Sequence, residues 1–214
     1  FVDADTIWTS HNNGHVWFTE KSGRPWWEPD ESDIGTYPIM FASKGDLWLT
    51  GSYGGGTIHI SLDAGKTFKK LGVNNPTGTI GLCTIDPNYE DNHFIYASGT
   101  GVWRIEVDED DVQGTEWKRI DTPCGTRNAN ADSVSPVVLL YLGSILYATD
   151  GANVTSTSGG LWRCTNPTAD LDGTSPPVWE TVNDGLDTII TSAENDNLSY
   201  SGLGVVPYTF FLKN

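Results

Sequence analysis

The chain has 214 residues, and 28 Asp and Glu against 12 Lys and Arg leave a formal charge of −16. Phosphate recognition needs a basic face, so nucleic acid is not an expected partner. Only 19% of residues are charged while Gly numbers 24 and Trp 9, a balance that excludes disorder and suits turn-rich β structure.

Along the chain one unit recurs four times. Its first element is a short apolar strand, at residues 6–9, 47–50, 94–97 and 145–148. After a turn containing Gly14, Gly56, Gly101 or Gly160 comes a second strand, at 15–18, 57–60, 102–105 and 161–164. A third follows around Trp26, Phe68, Trp117 and Trp179, and the fourth, most apolar one lies at 38–41, 82–85, 137–140 and 203–206. Four short strands per unit, rich in β-branched and aromatic residues and punctuated by Gly, Asn and Asp, predict an all-β chain: a β-propeller of four-stranded antiparallel blades. The expected blades are 5–42, 46–86, 93–141 and 144–207 within a single domain of 1–214, with the fourth strand innermost and buried on both faces. Two stacked sheets are the alternative that strands of this spacing leave open. Four blades are at the lower limit for a ring, so the expectation also includes a segment of a larger ring or an assembly that covers the open ends.

No stretch approaches the roughly 18 apolar residues of a membrane helix; residues 137–147 come nearest and are broken by Gly143 and Ser144. The first residue is Phe1 and no basic-then-apolar leader follows, which fits a processed mature chain or an internal segment, both compatible with secretion. Cys83, Cys124 and Cys164 have no paired metal spacing; Cys83 is expected as a buried free thiol, and Cys124 with Cys164 is the remaining pairing. Asn153 and Asn197 head sequons and are candidate glycosylation sites.

Residues 61–68, Ser-Leu-Asp-Ala-Gly-Lys-Thr-Phe, carry a family resemblance. The segment resembles the Asp-box, the S-x-D-x-G-x-T-[WF] turn of BNR-type β-propellers, a group including sialidases, xyloglucan-cleaving glycosidases, sortilin-like receptors and a photosystem assembly factor. The resemblance implies a structural role for Ser61, Asp63, Gly65, Thr67 and Phe68: the carboxylate accepts main-chain N–H groups, Gly supplies positive φ, and the aromatic packs under the next strand. A degenerate copy keeps Thr19, Gly23 and Trp26 but has Lys21 in place of the Asp. The other two units replace the box with longer loops and retain only Trp117 and Trp179.

The resemblance also implies that boxes lie opposite the substrate face, which here would carry Asp30, Glu31, Asp33, Asp121, Arg127, Asp132, Asp150, Asp184, Asp187, Glu194 and Asp196. A glycoside hydrolase of xyloglucanase or sialidase type would need two carboxyls there, one protonated and one ionised. The arginine motif of sialidases is missing; Arg104 and Arg163 instead share a strand position, which points to a repeated structural contact. The run Asp108, Glu109, Asp110 and Asp111 is the candidate Ca²⁺ site, with a solvated acidic turn as the bland reading. Trp27 is the candidate carbohydrate contact, since it points away from the face that Trp26 packs on. Together these features favour a non-catalytic extracellular module of a secreted or cell-surface protein, as in surface layers. It would bind a protein partner or copies of itself, with no organic cofactor.

Overall fold

The computed structural model describes residues 7–10, 16–19, 38–52, 57–74, 76, 83–99, 101–121, 136–150, 160–171 and 175–182. They form three four-stranded antiparallel sheets and one two-stranded sheet. Strands β1 (Ile7–Ser10) and β2 (Val16–Thr19) pair with each other. The first full blade is β3 (Pro38–Lys44), β4 (Leu47–Ser52), β5 (Ile58–Ser61) and β6 (Lys69–Lys70), hydrogen-bonded in that order. The second is β7 (Cys83–Ile85), β8 (Phe94–Ser98), β9 (Val102–Glu106) and β10 (Lys118–Arg119), with a one-turn helix α1 (Tyr89–Asn92) between β7 and β8. The third is β11 (Pro136–Leu142), β12 (Ile145–Asp150), β13 (Gly160–Cys164) and β14 (Trp179–Thr181).

This order corrects the repeat frame by one strand. The expected blade boundaries near 42–46, 86–93 and 141–144 fall inside sheets, because each most apolar strand opens the blade that follows it. Local chemistry explains why. Lys44 pairs with Leu47 and Leu142 with Ile145 across two-residue turns, Gly45-Asp46 and Gly143-Ser144, whose glycines have φ +58° and +63°. A positive φ at the first turn residue matches the twist of the flanking strands, so these segments close as hairpins. Both β3 and β11 also slip register beside an opening proline, at Pro38 and Pro136, where the missing N–H makes a bulge cheap.

The inner strands β3, β7 and β11 lie next to one another, and the sheets stack in series. Two cores follow. Side chains alternate across each strand, so Ile95, Ala97 and Ile105 face Leu47, Leu49, Ile58 and Ile60 of the first blade, whereas Tyr96 and Val102 face Leu139, Leu146 and Ala148 of the third. Each Val, Leu or Ile among them contributes about 1.5 to 3 kcal/mol on burial. Serial packing with a separate core at each junction is propeller-like and settles the choice against two stacked sheets. Inner strands are not buried throughout: Thr84, Ile85 and Leu140 are half-buried, because an inner strand has a partner on one edge and the axis on the other. The outermost strands β6 and β10 are two residues long and basic, Lys69-Lys70 and Lys118-Arg119, which blunts the open sheet edges.

Cys83 and Cys164 are buried free thiols, and Cys164 donates to Asn166 Oδ1, so the pairing with Cys124 is not made. Cys124 itself, Trp26, Gly23 and residues 203–206 lie outside the described residues.

Candidate functional site

The turn from Ser61 to Phe68 is a closed hydrogen-bond network. Asp63 Oδ1 accepts from the Ser61 hydroxyl at 2.6 Å and the Thr67 N–H at 2.9 Å, and Oδ2 accepts from the Thr67 hydroxyl at 2.7 Å. Ser61 Oγ in turn accepts the Gly65 N–H at 2.8 Å. Ala64 and Gly65 hold φ +58° and +81°, and the Ala64 N–H reaches Asp46 O in the neighbouring hairpin turn. Burial works to raise the Asp63 pKa, but the hydrogen bonds from Ser61, Thr67 and Lys66 outweigh it and hold the carboxyl below its ordinary value. Phe68 closes the turn, 4% exposed. These side chains are consumed by the fold. In the degenerate copy Thr19 is fully buried at the end of β2.

The equivalent loop of the second blade, between β9 and β10, carries the acidic run. Its carboxylates do not converge on a cation: Asp108 Oδ1 accepts the Asp110 N–H, Asp111 Oδ1 accepts the Gly114 N–H, and Glu109 accepts from the Tyr89 hydroxyl at 3.1 Å. Among the described residues no three His, Cys, Asp or Glu side chains are placed to hold a metal ion. Asp108 and Asp111 each cap their own stretch of turn, so this arrangement adds no support to the Ca²⁺ reading of Asp108, Glu109, Asp110 and Asp111.

What the loop does form is a wall of an open groove of about 700 Å³. Glu106, Asp108, Glu109, Asp110 and Glu116 line it together with His93, Phe94, Thr115, Arg104 and Lys118. Arg104 is 8% exposed, lies 4.4 Å over the Phe94 ring and donates to Pro167 O and Ala169 O at 2.7 and 2.9 Å. Its charge is thus tied into the junction with the third blade, and the mouth of the groove is left acidic. A second cavity of about 320 Å³ adjoins it, between Asp63, Thr67 and Lys69 of the box and Glu109, Asp110 and Asp111. Both openings lie at the box end of the blades, whereas the sequence pointed to the opposite end. Of the carboxylates expected there, Asp121 is buried and bound by Arg119 at 2.6 Å. Asp30, Glu31, Asp33, Arg127, Asp132, Asp184, Asp187, Glu194 and Asp196, the Asp150 side chain, Trp27, Asn153 and Asn197 lie outside the described residues.

Sequence reasoning missed Asp86. It is fully buried, accepts the Asn88 N–H at 2.8 Å and the Tyr96 hydroxyl at 2.9 Å, and also bonds Tyr141. Burial, then the charge of Asp86, pushes the Tyr141 pKa up to about 12 and Tyr96 higher still. The signal was the turn sequence Asp86-Pro87-Asn88, which favours a carboxylate capping its own turn. Arg104 and Arg163 also depart from a single repeated contact. Arg104 reaches the next blade, while Arg163 pairs with Glu180 of its own sheet at 2.6 Å.

Among solved structures, the chain superposes on YCF48 from Cyanidioschyzon merolae with TM-score 0.51 and 9% identity, over 74% of this chain and 52% of that one. The chain is a β-propeller in fold. A structure of YCF48 bound to D1 peptide matches with TM-score 0.50 and 16% identity, over 86% of this chain and 52% of that one. The chain spans about half the length of these structures. No protein-family profile matches it, and no curated protein does.

Proposed function

We propose that this chain is a non-catalytic β-propeller module of the Asp-box type that binds a basic, extended protein segment along the acidic groove of its second blade. The observation that carries the reading is the groove itself: about 700 Å³, open, and lined by five carboxylates on the loops around β9 and β10. Glu106 and Asp110 stand exposed on it, with Phe94 offering an apolar floor under Arg104. Charge complementarity of this kind steers partners of opposite sign and fixes register. The buried carboxylates Asp86 and Asp121 have their oxygens occupied by Tyr96, Asn88 and Arg119, which supports a structural role for both. A matching propeller, YCF48, was solved with a peptide bound, so this fold accommodates peptides. Placement at a cell surface or outside the cell is part of the proposal and rests on composition: acidity, few Lys and a single Met.

Fluorescence anisotropy with a labelled Lys/Arg-rich peptide and its Glu-substituted control tests the reading. Binding of the basic peptide alone is expected. It should weaken as ionic strength rises from about 0.1 M to about 1 M, where the screening length falls from about 10 to about 3 Å. Glu106→Lys with Asp110→Lys should raise Kd about tenfold or more, equivalent to about 1.4 kcal/mol. Equal binding of both peptides, or indifference to the double charge reversal, would remove the groove from the mechanism.

A further inference from the structure

The two cavities at the box end sit in equivalent places on successive blades. Lys69 directly follows Phe68 and pairs with Ile60 of β5, and Lys118 directly follows Trp117 and pairs with Arg104 of β9. Thr67 and Lys69 line the smaller cavity as Glu116 and Lys118 line the groove. The cavity of about 320 Å³ is therefore the first blade's counterpart of the groove of about 700 Å³.

Glu109 and Asp110 line both, so the two volumes meet at this pair. Glu109 accepts from the Tyr89 hydroxyl and lies 3.7 Å from His93 Nδ1. Asp110 is exposed; its N–H bonds Asp108, and its carboxylate has no partner among the described residues. The walls beyond it differ. Glu106 stands two residues past Arg104, whereas Leu62, 38% exposed, stands two residues past Ile60. The smaller cavity thus joins an apolar wall to the carboxylates of Asp110 and Asp111, with Lys69 as the cation among its lining residues. A long side chain with an aliphatic stem and a cationic end fits that combination, its stem on Leu62 and its charge at the carboxylates.

We propose that the basic segment held in the groove continues across Asp110 into the smaller cavity, so that two basic side chains at positions i and i+2 are read by two successive blades. An extended chain turns alternate side chains to the same side, about 6.5 Å apart, whereas neighbours i and i+1 point to opposite sides. Side chain i lies in the groove between Glu106 and Asp110. Side chain i+2 lies along Leu62 with its charge toward Asp110 and Asp111, and the residue between them points away from the protein. This inference rests on the peptide-binding reading of the groove and adds a spacing rule to it. Lys69 opposes the second contact and so sets how strongly the rule is enforced.

Methyl NMR titration of the 214-residue chain tests the proposal with otherwise neutral peptides carrying Arg at i and i+2, Arg at i and i+1, or a single Arg. The first should bind about fivefold tighter than the second, the weight of one exposed ion pair, although the two have equal charge. It alone should shift the Leu62 and Val112 methyl resonances. Leu62→Arg should bring the two spacings to equal affinity, and Lys69→Glu should widen the gap between them, with circular dichroism that of the wild type. Equal affinity of the two spacings for the wild type, or a ratio that neither variant changes, overturns the proposal, while binding of the single-Arg peptide in the groove upholds the reading it rests on. Failure of all the peptides to bind overturns both.

Discussion

Trp117 is bound to Leu71 across a blade junction, its indole N–H 2.9 Å from the carbonyl that follows β6. The ring is 2% exposed and Leu71 is fully buried, so the bond is made away from water. Gly72 is drawn in with them: a Cβ there would lie 2.7 Å from Ile105 Cδ1 and 2.8 Å from the Trp117 ring, and its φ is +75°.

Replacing Trp117 by Phe keeps most of the packing and removes the indole donor to the Leu71 carbonyl, which should cost about 0.5 to 1.5 kcal/mol in urea unfolding. Trp117→Ala should cost about 3 to 5 kcal/mol. A Phe variant as stable as the wild type would show that this hydrogen bond has no part in holding the blades together.

Asp63→Asn should destabilise by about 1 to 3 kcal/mol, since an amide cannot accept the Ser61 hydroxyl, Thr67 hydroxyl and Thr67 N–H together. The pH dependence has a definite sign. The folded pKa of Asp63 lies below its ordinary value of 3.8. Its stabilisation is therefore present above that ordinary value and is lost as pH falls through the lower folded pKa. Melting temperatures of wild type and Asp63→Asn should converge on acidification, and a gap that holds constant below pH 3.8 would contradict the assignment.

Glycine replacements should separate two kinds of constraint. Gly45→Ala and Gly143→Ala meet nothing within 4 Å, so their cost is the positive φ alone, about 1 to 2 kcal/mol. Gly114→Ala would put a Cβ 2.1 Å from Asp111 Oδ2, so the Asp111 side chain must leave the turn. Backbone chemical shifts should accordingly move across 108–115 in that variant and stay local to the turn in the other two.

In a Cys124→Ser background the native protein should show no thiol reactive toward an aromatic disulfide reagent at neutral pH. Burial pushes the Cys83 thiol up to about 12 and raises Cys164 as well, and the thiolate is the reacting species. Two thiols should appear on denaturation. Rapid native labelling would mean that one of the two cores opens to solvent.

The strands were legible in the sequence because period-two burial leaves a direct trace, as in Ile95, Tyr96 and Ala97 alternating between two cores. Their phase was not. A cyclic repeat reads equally well from any of its four strands, and only the pairing of Lys44 with Leu47 across Gly45 and Asp46 breaks the tie. That two-residue turn was visible as a Gly-Asp pair between apolar runs, and similarly Gly143-Ser144. The Asp63 turn could be read because all its partners lie within seven residues of one another. The geometry of the acidic loop was not legible because a run of Asp and Glu gives no sign of where each carboxylate points; here Asp108 and Asp111 turn to their own backbone and Glu109 to the Tyr89 hydroxyl. Asp86 was one acid among 28, and its burial depends on Tyr96 and Tyr141, a contact between blades that no local pattern records.

The serial stacking of the blades also sets an order of opening. The second blade has a core on each face, so releasing it breaks two junctions. Amide protons of β8, paired on both edges with β7 and β9, should then exchange later than those of the two-residue edge strands β6 and β10. The β7–β10 blade thus joins the two cores, and the acidic groove opens along the loop that leaves its third strand.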